Sequence, residues 1–190
     1  EAQGNYVTLP AITYERPASS ALSEFAPENR FFANQRKVEI NQIDMKLATL
    51  EEWRLCPSCH HMENLTLVAD SQAACPRCGD LMWANISQKQ TLLRFKQAIA
   101  NTEVGDARID DRQEEREPKF YMRQLMVGFT PEEVTCAWRL DSQTLPFGFE
   151  FISQAQFRDI NFGERGKNGQ STKFAGSEAA RPGFSLCREC

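Results

Sequence analysis

Apolar and polar residues alternate with a period near two along much of this chain, and that alternation predicts strands. Val38, Ile40 and Ile43 share one face of the run 37–43 if the register slips once, the pattern of a half-buried strand. The run 120–127 alternates loosely, and 134–140 is rich in β-branched and aromatic residues. The run 145–152 puts Phe147, Phe149 and Phe151 on one face, and 155–163 follows at similar spacing. Short strands recurring about every ten residues predict an antiparallel sheet or a small barrel. Two further extended segments, 6–9 and 11–14, are broken by Pro10 and Pro17. Helical spacing is scarce. Ser20 can cap a short helix over 20–26 that Pro27 ends. Glu28, Asn29 and Arg30 form a turn before 31–33, and the apolar positions 92, 93, 95, 98 and 99 fit either a short helix or a β segment. The fold class expected is α+β, mostly β.

One stretch carries chemistry as well as pattern. Cys56 and Cys59 form a CxxC pair, fifteen residues follow, and Cys75 and Cys78 form a second. Two such pairs at that separation predict a four-cysteine zinc ribbon, because tetrahedral Zn2+ takes four thiolates and each CxxC turn can aim two sulfurs at one point. Pro57 and Pro76 fix φ inside the turns, and Gly79 permits a left-handed residue just past the last ligand. The expected ribbon enters as a strand over 53–55, crosses on a strand over 65–68 and leaves on a strand over 81–84. His60 and His61 follow Cys59 directly, but four thiolates already fill the coordination shell, so both are read as surface or supporting residues. A redox role would need one pair beside a strand–helix unit rather than two facing pairs.

The remaining cysteines change the picture less. Cys136 lies in an apolar stretch and is expected to be a small buried residue. Cys187 and Cys190 make a third CxxC, which would hold a second metal only with ligands beyond residue 190 or in another chain. The chain opens on Glu1 without an initiator methionine and stops directly after that CxxC, which predicts a segment of a longer polypeptide.

Charge narrows the function classes. The net charge of −4 gives no global basic field, so any nucleic-acid contact has to come from a local patch. Two local candidates exist: Arg77 inside the second knuckle, and Arg108, Arg112 and Arg116 in the polar run 101–118, where acidic neighbours cancel much of the field. Trp53, Trp83 and Phe95 near the ribbon are read as stacking platforms or as its miniature core. No apolar run approaches the ~20 residues that span a bilayer, and no secretory signal precedes the domain, so a reducing, cytoplasmic setting is expected. Both histidines lie in the ribbon, and there is no HExxH, Walker or GxGxxG sequence. A closed thiolate shell offers no open metal position for catalysis, so the expectation is a structural metal without an enzyme active site.

Several stretches, in order, resemble the C-terminal region of large bacterial DEAD/DEAH-box helicases of the YprA/MrfA type, found in phage-defence systems such as DISARM and Druantia. They are Ala21-Leu22-Ser23-Glu24-Phe25-Ala26-Pro27-Glu28, Trp53-Arg54-Leu55-Cys56-Pro57-Ser58-Cys59, Cys75-Pro76-Arg77-Cys78-Gly79, Asp106-Ala107-Arg108-Ile109-Asp110-Asp111 with Arg116-Glu117, Phe157-Arg158-Asp159-Ile160-Asn161-Phe162-Gly163 and Cys187-Arg188-Glu189-Cys190. The resemblance implies an accessory region that follows two RecA-like motor domains and carries no motor itself. ATPase or helicase activity would then belong to the parent protein. Implied partners are DNA, chiefly single-stranded, the motor domains of the same polypeptide and subunits of a defence complex, with no membrane. The alternative is a protein-interaction scaffold without nucleic-acid contact, which the acidic balance favours. The organisation expected is 1–50 as the first part of a β-rich domain, 51–85 as the ribbon, 86–163 as the rest of that domain, 164–183 as a flexible glycine-rich loop, and 184–190 as the start of a second cysteine cluster.

Overall fold

A computed structural model describes residues 11–34, 36–68, 73–102, 119–145, 147–166, 170–174 and 177–187. The protein is mostly β, and among the described residues every strand pair is antiparallel. Among the described residues the strands divide among five small sheets and close no barrel.

The helix α1, Ala18–Glu24, starts two residues earlier than the sequence suggests. The Pro17 carbonyl accepts the Ala21 amide at 2.9 Å, so proline rather than Ser20 stands at the cap. Glu28 then takes φ 62 and Asn34 φ 50, and these two left-handed residues frame strand β1, Arg30–Ala33. The turn at Asn34 returns the chain as β2, Arg36–Ile43, whose other edge pairs with β6, Ala98–Asn101. The register slips between Ile40 and Gln42. This bulge is the slip the apolar pattern calls for, and it keeps Val38, Ile40 and Ile43 all buried.

Between β2 and β6 lies a nested three-stranded sheet in the order β4-β3-β5, built from β3 (Thr49–Leu55), β4 (Met62–Asn64) and β5 (Lys89–Arg94). The Asp44 amide donates to the Gln97 carbonyl at 3.1 Å and closes the neck of this insertion. The sheet reaches past the expected 51–85 span at both ends. The segment 89–101, legible as helix or strand, is two strands.

Strand β7 (Tyr121–Gly128) pairs with β10 (Gln156–Glu164). Trp53, Leu55 and Met62 of the nested sheet share one buried cluster with Met126, Ile160 and Phe162 of that pair. The insertion is thus packed onto the rest of the protein rather than hung from it. The Asn161 side chain donates to the Leu22 carbonyl at 2.6 Å and ties α1 to β10. Strands β8 (Val134–Arg139) and β9 (Gly148–Ile152) form a separate hairpin, as do β11 (Gln170–Phe174) and β12 (Ser177–Arg181).

Four local expectations are overturned. Residues 65–68 are a turn and not a strand, because the Asn64 carbonyl accepts the Leu67 and Val68 amides and its side chain accepts the Thr66 amide. Leu81–Ala84 is a 3-10 turn, because the Asp80 carboxylate accepts the Met82 amide at 2.8 Å and caps it. The stretch 164–183 contains the β11–β12 hairpin rather than an unstructured loop. Gly166 and Gly183 take positive φ before and after the hairpin. Cys136 is exposed, since among the described residues no other strand packs broadly against the β8–β9 hairpin.

Candidate metal centre and adjoining groove

β3 ends directly on Cys56, and the chain then turns so that the Cys56 amide donates to the His61 carbonyl at 3.0 Å. The second knuckle closes in the same way: the Cys75 amide donates to the Asp80 carbonyl at 3.0 Å and the Gly79 amide to the Cys75 carbonyl at 2.8 Å. Gly79 sits at φ +76, a conformation that a residue with a Cβ adopts at a cost of roughly 1–2 kcal/mol. Asp80 joins the knuckles, since the Ser58 hydroxyl also donates to its carboxylate. That hydroxyl, followed by the Met82 amide, holds the Asp80 carboxyl below its ordinary range.

The sulfurs of Cys56, Cys59, Cys75 and Cys78 all lie within 4.8 Å of one another. Across the knuckles, Cys56 Sγ stands 3.5 Å from Cys78 Sγ and Cys59 Sγ 3.8 Å from Cys75 Sγ. Metal–sulfur bonds near 2.3 Å set tetrahedral thiolates about 3.8 Å apart, whereas a disulfide needs about 2.05 Å. The arrangement fits a metal site and excludes a bridged pair. The Ser58 amide points at Cys56 Sγ at 3.5 Å, a contact that favours the thiolate. Beneath the sulfurs lies Trp83, packed against Cys56 and Cys75. Arg54 lies over its ring at 5.8 Å and donates to its carbonyl, and the His61 ring is 5.4 Å away.

The metal-free pocket has its own pH signature. Burial pushes the Cys59 thiol up from 9.0 to about 11 and raises Cys56 as well. Slight burial also raises Cys78, but the Asp80 amide and the neighbouring sulfurs outweigh it and bring that thiol below its ordinary value. A thiol that holds its proton more tightly when folded supports the fold below the ordinary 9.0 and loses that support as pH climbs through about 11. Because a metal can bind only after those protons leave, the affinity of the site, read by competition with a chromogenic chelator, is expected to rise with pH. A pH-independent affinity would contradict the assignment.

Comparison with protein-family models, with curated proteins and with solved structures returns no match.

The other sequence-predicted residues fare unevenly. His60 is exposed, and His61 is half-buried with its Nε2 3.1 Å from Glu63, so neither joins the sulfurs. Cys187 is exposed and outside the cluster, while Cys190 lies outside the described residues, as do Arg108, Arg112 and Arg116. Arg77 is exposed on its knuckle, with its guanidinium 4.4 Å from the Phe129 ring centre. Trp53 and Trp83 are buried and belong to the core.

A groove that the sequence did not reveal runs beside the ribbon. Its volume is about 1980 Å³, well above the ~300–1,000 Å³ of small-molecule pockets. Arg16, Arg36, Arg94, Lys96, Arg158 and Arg181 line it against three carboxylates, Glu15, Glu51 and Asp159. Arg16 and Arg94 are paired with Glu24 and Glu51, whereas Arg36 and Lys96 make no ion pair among the described residues. Aromatic rings line it as well: Tyr14, Phe25 and Phe31 cluster together, and Phe157 stands exposed. The six basic residues come from five separated places in the sequence, with Arg94 and Lys96 neighbours, so no local run of charge announces them.

Proposed function

We propose that this chain is a non-motor accessory module of a bacterial DNA helicase or translocase in phage defence, held rigid by one Zn2+ and contacting single-stranded DNA. The observation that carries the DNA contact is the groove. It gathers six cations against three carboxylates in a chain whose net charge is −4. A strand of nucleic acid needs this combination of cations for phosphates and flat rings for bases. Four thiolates select zinc over harder cations and leave no coordination position for substrate, so the metal shapes the fold and performs no reaction. The order of sequence stretches shared with the helicase family supports the parentage, in which ATP hydrolysis belongs to motor domains of the parent polypeptide.

Fluorescence anisotropy with a labelled single-stranded oligonucleotide tests this. Binding is expected at low salt, with log K falling by roughly 2 per decade of salt if about three phosphates are neutralised. Arg36→Glu and Lys96→Glu should weaken binding, and Arg77→Ala should separate a knuckle contact from the groove. Absence of binding at low salt would remove the DNA reading. The second reading, a protein-docking scaffold without DNA contact, is favoured by the acidic balance and by the exposed β8–β9 hairpin.

A further inference from the structure

The β8–β9 hairpin has one face made entirely of apolar side chains. Cys136 stands opposite Phe151 and Trp138 opposite Phe149, and the Leu140 amide donates to the Phe147 carbonyl at 2.9 Å in continuation of the ladder. Phe147, Phe149 and Phe151 meet edge to face, with ring centres 6.5 and 5.6 Å apart. These rings are ordered among themselves yet remain in solvent: Trp138 is 63% exposed, Phe147 60%, Phe149 51% and Phe151 53%. Among the described residues no other strand packs broadly against the hairpin. Arg139 and Glu150 stand at the alternate positions and so face the other way. A two-stranded ribbon is marginal in water without a covering layer, and an aromatic patch of this kind marks an interaction surface.

We propose that this face is covered by the same face of a second copy of the chain, related by a twofold axis. Three features favour a copy over a different partner. The face holds no charge, so nothing on it asks for an oppositely charged surface. Its rings present both edges and faces, and another set of the same rings satisfies both in edge-to-face contact. A twofold contact requires a self-complementary patch, and a uniform apolar ladder is one. The area is also sufficient. Four aromatic residues, each about half exposed, together with Leu140 offer roughly 500 Å² per copy. A pair would bury about 1,000 Å², the lower bound for a specific interface. An interface at this low end of the size range belongs with weak, reversible contacts.

Sedimentation equilibrium of the metal-loaded 190-residue chain, from roughly 1 to 200 µM, decides the matter. A monomer–dimer equilibrium is expected. Phe149→Glu should weaken it at least tenfold, while Glu150→Lys, on the opposite face, should leave it unchanged. Trp138 gives a second readout, because Trp53 and Trp83 are already buried. Its emission should shift to shorter wavelength as concentration rises, and the shift should vanish in Phe149→Glu. A chain that stays monomeric at the highest concentration, with an unchanging emission spectrum, overturns the proposal and assigns the face to a different protein. A dimer that persists in a folded, metal-loaded Phe149→Glu variant overturns it as well.

Discussion

Cys56→Ser will release the metal and unfold the nested sheet. Cys56 is completely buried, and its sulfur is 3.5 Å from that of Cys78. A serine hydroxyl stays protonated near neutral pH and replaces a thiolate poorly as a ligand. The free energy at stake is large, since structural zinc binds small peptide sites with about 10–16 kcal/mol, comparable to the roughly 5–15 kcal/mol of a whole domain. The loss will not stop at the knuckles. β3 leads directly into Cys56, and its Trp53 and Leu55 pack with Met126, Ile160 and Phe162 of the β7–β10 pair. Elemental analysis should find the bound metal lost, and near-ultraviolet circular dichroism should lose signal from more than one tryptophan environment. Cys136→Ser, at an exposed position far from the sulfurs in sequence, is the control and should keep full metal content. A Cys56→Ser protein with one tightly held metal and an unshifted melting curve would show that the four sulfurs are not the ligand set.

Trp83→Ala will cost about 3–5 kcal/mol, the usual penalty for emptying a fully buried aromatic site. Trp83 is 1% exposed and forms the floor beneath Cys56 and Cys75. Removing the ring also takes away the surface on which Arg54 and His61 lie. Arg54 stays buried and still donates to the carbonyl of residue 83, so the cavity opens beside a charged group and cannot collapse freely. For a chain of this length each kcal/mol moves the melting temperature by about 2–4 °C, so a fall of roughly 10 °C or more is expected. Trp83→Phe should recover much of it. A melting shift under 3 °C for the alanine variant, read by calorimetry, would mean that the ring bears little of the site.

The cysteine cluster was legible in sequence because its determinants are local. Two CxxC turns shaped by Pro57, Pro76 and Gly79 specify where the sulfurs go almost without reference to the rest of the chain. The bulge in β2 was legible for a similar reason, since Val38, Ile40 and Ile43 cannot share a face without it. What failed were decisions made by single polar side chains. The run 65–68 looks like a strand until Asn64 takes the Thr66, Leu67 and Val68 amides, and Leu81–Ala84 does so until Asp80 caps it. Cys136 was misjudged because an apolar alternating run predicts a strand with a covered face, and pattern alone does not say whether the cover exists within the same chain. The groove was out of reach for a topological reason: its cations come from residues 16 to 181 and meet only after the sheets are placed.

The hydrogen bond between Asp44 and Gln97 has a kinetic meaning. β2 and β6 cannot pair until everything between them has been gathered into a short span, and an open chain pays loop-closure entropy for that. Metal coordination by the four sulfurs would fold the intervening residues into a compact unit whose two ends emerge side by side. To the outer strands a distant pairing thereby becomes a nearly local one, and local pairings form faster. An ion held there would thus speed assembly of a sheet to which it contributes no bond.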